Sequence, residues 1–106
     1  MSSSFEEFEE RYDASKDRVF AQEMQAIFEV FGKMQSLEAS HPDVQAQVAT
    51  LQAYITENFY TCTKEILQNL GLMYVEDERF TTNIDRAGGP GTAAFVSQAI
   101  AIYCKE

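Results

Sequence analysis

The chain has 106 residues, 45% of them hydrophobic and 24% charged, with a formal net charge of -9. That length supports one hydrophobic core and excludes a catalytic domain joined to a separate regulatory one, and the composition is that of a chain that folds. The acidic balance argues against nucleic-acid binding by this chain alone, because such affinity rests on Lys and Arg that neutralise phosphates.

Phe5, Phe8 and Tyr12 stand three and four apart behind Ser4, with Glu7 placed as in a capping box, so a helical segment is expected within residues 1–16. Asp13, Ser15 and Asp17 compete for backbone groups, and a break there is as compatible with the sequence as a continuous helix. Phe20, Met24, Ile27, Phe28, Phe31 and Met34 recur at helical spacing and predict a core-facing helix. EASHPD ends it and starts another: Ser40 is the expected cap, Pro42 suits the first helical position, and Asp43 favours the positive end of the dipole.

Val44, Val48, Leu51, Ile55, Phe59, Cys62, Ile66, Leu70 and Met73 then keep a helical period, compatible with one long helix or two collinear ones, and Thr61 and Thr63 can bend it. Gly71 weakens the last turn, and Asp77 is a cap for a short helix over Glu78 to Asn83. RAGGPG is the strongest break, after which Pro90 opens a last helix with Ala94, Phe95, Ala99, Ile102 and Tyr103 on its core side. No segment alternates as a strand does, and there are no repeats. The expected fold is all-α, a bundle of four or five helices around one core, with residues 1–106 as a single domain.

LMYVEDERFTTNID gathers Asp77, Glu78, Asn83 and Asp85 within nine positions. As a calcium loop it fails: the sixth position is Thr82 where a glycine is needed, and the twelfth is Gly88 where a glutamate is needed. Helix capping with a local pair between Arg79 and a carboxylate accounts for it better. His41, the one histidine, precedes a proline at a helix start, where it reads as a solvent-exposed loop residue rather than a zinc or haem ligand. It is also distant in sequence from Cys62 and Cys104, so no thiol–base pair is evident, and Cys62 reads as a small buried hydrophobe. Two cysteines are too few for a disulfide framework, no run approaches the ~20 residues of a membrane span, and MSSSFEEFEERYD lacks signal-peptide features. A cytoplasmic protein without enzymatic chemistry, cofactor, metal or membrane contact is expected. The high aromatic and methionine content leaves two readings open. One is a well-filled core. The other is a cleft for a large apolar ligand lined by Tyr54, Phe59, Tyr60, Met73, Tyr74 and Phe80, with tyrosine hydroxyls and Asn58 or Asn69 orienting it.

Phe59, Tyr60, Cys62, Leu70, Gly71, Met73, Tyr74, Asp77 to Thr81, Asn83 to Asp85, Pro90, Gly91, Ala99 and Ile100 form a pattern that resembles the TipAS-type antibiotic-recognition domain, the effector-binding half of drug-responsive MerR-family activators. The likeness is strongest over residues 58–104, rests on helix pattern alone over 17–57, and is weakest over 1–16. It implies a globin-like fold without haem, a cleft for bulky and mostly apolar antibiotics such as thiopeptides, and a MerR-type DNA-binding portion if the native product is longer. The ligand-binding residues it suggests are Tyr54, Asn58, Phe59, Tyr60, Cys62, Asn69, Met73, Tyr74 and Phe80, while DERFTTNID becomes structural punctuation. Asn69 stands where the thiopeptide-capturing member has a cysteine, so covalent capture at that site is not expected, and Leu51 replaces a histidine common in the family. Neither the winged helix-turn-helix, nor the coiled-coil arm, nor the tryptophan-bearing segment that precedes the domain is expected in this chain, which reads as a stand-alone binding protein or a separated domain.

Overall fold

The computed structural model describes residues 17–105, and the helical segment expected within 1–16 lies outside them. Among the described residues five helices follow one another without a strand: α1 (Asp17–Lys33), α2 (Pro42–Asn58), α3 (Lys64–Glu76), α4 (Glu78–Gly88) and α5 (Thr92–Cys104). The chain is an all-α bundle. Its core joins Ile27, Phe28 and Phe31 of α1 to Val44, Val48, Leu51 and Ile55 of α2, with Leu67 and Tyr74 of α3, Ile84 of α4 and Val96 and Ile100 of α5. The stripes predicted for α1 and α2 supply the first seven of these, because residues three and four apart share a helix face.

Where elements meet, polar side chains decide the boundaries. The cap of α2 is His41 rather than Ser40: its Nδ1 accepts the Asp43 N–H at 3.1 Å. Pro42 holds the residue before it in an extended conformation, which leaves the imidazole free to fold back over the first turn. After Asn58 the chain leaves the helix, and Thr63 caps α3 by accepting the Ile66 N–H at 3.2 Å. Two helices therefore replace the single long period. The non-helical residues 59–63 reset the helical phase, so α3 buries Leu67, Gly71 and Tyr74, while Met73, expected on the core side, is 40% exposed.

Gly71 lies within α3 and does not weaken its end. A Cβ there would stand 3.0 Å from Ile100 Cγ2, so the missing side chain is what lets α3 approach α5, the most extensive helix pairing in the bundle. Asp77 then serves two helices. Its N–H closes α3 on the Met73 carbonyl at 2.9 Å, and its Oδ1 accepts the Arg79 N–H at 3.0 Å to open α4. Thr81 donates to the Tyr74 carbonyl at 2.7 Å and ties the two helices across that corner.

α4 runs past Asn83 to Gly88, because no breaker intervenes before Gly89, whose φ of 101° is open to glycine and strained for other residues. The last helix begins at Thr92, not at Pro90, which sits in the preceding turn. Gly91 at its N-cap has no side chain to offer, and α4 supplies the missing acceptor: Asp85 Oδ1 takes the Ala93 N–H at 2.8 Å. The core face of α5 is Thr92, Ala93, Val96, Ala99 and Ile100, with Ala94 exposed and Phe95, Ile102 and Tyr103 only partly covered. α5 carries apolar residues nearly all round, so its pattern could not single out one face.

Candidate functional site

α1 and α4 lie side by side because two glycines meet where they cross. A Cβ on Gly32 would collide with the Gly88 carbonyl, and one on Gly88 would stand 2.7 Å from the Phe28 carbonyl oxygen. Away from this contact the helices enclose a half-open cleft of about 390 Å³ with a mostly apolar lining. α1 contributes Ala21, Met24, Gln25 and Phe28, α3 contributes Tyr74, and α4 contributes Phe80, Asn83, Ile84, Arg86 and Ala87.

Its aromatic part is a connected set of rings. Phe28 meets Tyr74 edge-on with centroids 5.7 Å apart, and Tyr74 meets Phe80 at 5.9 Å. Tyr74 is buried and Phe80 is 37% exposed, so the set runs from the core to the surface. Burial pushes the Tyr74 hydroxyl far above the usual tyrosine range, with the neighbouring Tyr60 and Cys62 adding to the effect. That hydroxyl stays protonated at any ordinary pH. The polar part consists of Gln25, Asn83 and Arg86. Asn83, Arg86 and Ala87 stand at the three- and four-residue spacing that places side chains on one face of α4.

The structure divides the nine residues singled out in the sequence. Tyr74 and Phe80 line the cleft. Tyr54 and Phe59 belong to a second aromatic group at the end of α2, where Phe59 packs on Tyr54 with centroids at 6.0 Å and on Phe20 at 4.9 Å. Tyr54 donates to Glu23 Oε1 at 3.0 Å, and burial followed by that bond pushes its pKa up to about 12. Asn58 turns back and donates to the Tyr54 carbonyl at 2.9 Å. Tyr60 is half-buried, and burial with the nearby Cys62 raises its pKa.

Cys62 is 4% exposed, and its backbone is held on both sides, the N–H by Thr56 Oγ1 at 3.1 Å and the carbonyl by Gln52 Nε2 at 2.9 Å. Burial pushes its thiol up to about 11, with Cys104 adding to the shift, which removes it from thiolate chemistry near neutral pH. Asn69 and Met73 lie elsewhere, in a shallow depression with Leu72, Glu76, Asp77 and Glu78. Of the α1 wall, Met24 and Phe28 belong to the predicted core stripe and Ala21 and Gln25 to no predicted site, since a residue such as Phe28 serves core and cleft with the same face. The signal that could have found it is the glycine pair, which marks where two helices can approach closely enough to form a wall.

Among the described residues no three His, Cys, Asp or Glu side chains are grouped to hold a metal ion, and no helix is long and apolar enough to cross a membrane. The Asp77–Arg79 pair at 3.0 Å is a surface pair, and Arg79 donates to both carboxylate oxygens, holding the Asp77 pKa below the usual carboxylate range.

Comparison with known proteins finds relatives at the level of sequence. The chain is 35% identical over 102 residues to the HTH-type transcriptional activator mta of Bacillus subtilis, an alignment spanning 93% of this chain and 39% of that protein. It is 54% identical over 46 residues to the HTH-type transcriptional activator TipA of Streptomyces coelicolor and to that of Streptomyces lividans, spanning 43% of this chain and 18% of each relative. The chain thus corresponds to well under half the length of these relatives. No solved structure matches it with significance. The model of the TipAS antibiotic-recognition domain matches residues 2–103, nearly the whole sequence, and the chain belongs to that family.

Proposed function

We propose that this chain is a non-enzymatic sensor domain that binds bulky hydrophobic antibiotics or similar small molecules in the α1–α4 cleft, within a MerR-type transcriptional regulator or as a drug-sequestering protein. The observation that carries the reading is the cleft itself: an apolar, aromatic-lined space of about 390 Å³ with a few polar groups on one wall. Ligand pockets for small organic molecules have this character, and their volumes are about 300–1,000 Å³. A large antibiotic would place one apolar arm in such a space and leave the rest outside. Membership of a family described by antibiotic recognition, and relatives that are transcriptional activators, support the reading. On this account Tyr74 and Phe80 are the ligand-contacting members of the nine residues, joined by Met24, Phe28 and Ile84. Tyr54, Asn58, Phe59, Tyr60 and Cys62 support the fold behind them.

One observation favours a second reading, a module whose apolar surface receives a partner helix: Leu72, Met73 and Val75 of α3 are 51%, 40% and 43% exposed. Thermal melts against a panel of thiopeptides and other apolar antibiotics, paired with light scattering, separate the two. The sensor reading expects a monomer whose Tm rises with ligand concentration. A chain that self-associates and gains no stability from any of the compounds would contradict it.

A further inference from the structure

We propose that the cleft selects apolar aromatic ligands carrying an anionic or strongly hydrogen-bond-accepting group, and that Arg86 is the residue that makes this selection. The inference rests on the cleft being the ligand site, and adds the chemical class of what enters it.

The chain has 17 acidic and 8 basic residues, so an average patch of its surface repels anions. The cleft departs from that average: among the described residues its lining includes Arg86 and no carboxylate. Among the described residues no carboxylate forms an ion pair with Arg86, in contrast to Asp43 with His41 and Asp77 with Arg79. A guanidinium is a donor only, with N–H groups in a fixed fork that matches a carboxylate or sulfonate and has nothing to offer a cation.

Arg86 also has company. Asn83 lies one turn before it on α4, and Gln25 faces α4 from α1, so the wall carries amide donors beside the guanidinium. Gln25 leans toward Glu29 at 3.5 Å, at the limit of a hydrogen bond, which leaves its amide able to turn to a ligand. The apolar half, Phe28, Tyr74 and Phe80, takes the rings, while the donor half takes the acceptor. A ligand with both features is bound at both ends. A purely apolar ligand uses only the first, and a cationic one meets Arg86 unfavourably.

Two fluorescent probes with the same ring system test this: anilinonaphthalene sulfonate, which is anionic, and its uncharged parent phenylnaphthylamine. The folded wild-type chain should bind the sulfonate more tightly than the parent, by about two- to fivefold, the range for a contact to an exposed charge such as Arg86. The margin should narrow as salt rises. Arg86→Gln should erase the preference and leave the parent's affinity unchanged, whereas Lys105→Gln, removing an exposed charge outside the cleft, should change neither. Phe80→Ala should weaken both probes. If the parent binds as tightly as the sulfonate and Arg86→Gln alters neither, the selectivity is overturned while the cleft remains a ligand site. If neither probe responds to Phe80→Ala, the cleft is not where they bind, and both readings fall.

Discussion

Gly32 and Gly88 bring the backbones of α1 and α4 into direct contact, with no room for a side chain on either. Gly32→Ala should therefore be costly, since its obstacle is a carbonyl group that cannot rotate away. We expect a loss of roughly 1–3 kcal/mol or more, the range for overpacking, and a wider α1–α4 spacing that weakens ligand binding. Gly71→Ala is the contrast. Its Cβ meets the flexible Ile100 side chain, and the ~1 kcal/mol by which alanine surpasses glycine in a helix offsets part of the crowding. Denaturant melts of the two variants should rank Gly32→Ala as clearly the less stable.

Asp77 joins α3 to α4, and its carboxylate is held in the ionised form by Arg79. A pKa lowered on folding contributes stability that is present above the ordinary carboxylate pKa of about 4 and is lost as pH falls through the lowered value. Asp77→Ala should lower Tm at neutral pH, and the gap to wild type should close in acid. Affinity of the folded protein for apolar ligands should change little, as Asp77 lies outside the cleft. Melts from neutral to acidic pH, with calorimetry at neutral pH, check both parts.

The Tyr54 hydroxyl and the buried Cys62 thiol act at the other end of the scale. Cys62 rises from 9.0 to about 11 and Tyr54 from 10.0 to about 12 on folding. Raised pKa values contribute stability that is fully present below the unfolded values and is lost as pH climbs through the folded ones. The protein should thus weaken progressively above pH 9, and Cys62→Ala, less stable at neutral pH, should lose less over the first part of that climb. In the native state Cys104, which is partly exposed, should react with a thiol reagent well before Cys62.

Much of this architecture was legible in the sequence because it rests on local chemistry. The α2 stripe from Val44 to Ile55 needs only helical spacing, and the role of Asp77 needs only a capping side chain before a helix. The losses have equally specific causes. Thr63 was legible as a residue that competes for backbone groups, but not as the one that caps α3, so the phase was carried through the break and Met73 was placed inside. Ser40 is the expected cap of α2 because a serine accepts an N–H there more often than a histidine does, whereas Pro42 sets His41 in place to do so. The cleft was half legible: Tyr74 and Phe80 stood out, whereas its α1 wall depends on two glycines far apart in the chain, and a contact made by missing side chains leaves no hydrophobic pattern.

The resemblance implies that Asn69 stands where the family's thiopeptide-capturing member has a cysteine, and Asn69 lies away from the α1–α4 cleft. Together with the buried Cys62, this predicts reversible binding. Incubation with a dehydroalanine-containing thiopeptide, followed by intact-mass analysis under denaturing conditions, should return the unmodified chain. A stoichiometric adduct that persists in a Cys104→Ser variant would show that the Cys62 thiol is reachable after all.

The central claim is that apolar ligands enter between α1 and α4. A methyl-resolved NMR titration with phenylnaphthylamine tests it most directly, since methyl groups mark both candidate surfaces. The account predicts that the largest shifts fall on Ala21, Met24, Ile84 and Ala87, with Leu72, Met73 and Val75 little changed. Shifts concentrated on the outer α3 residues, with the α1 and α4 methyls unmoved, would contradict it.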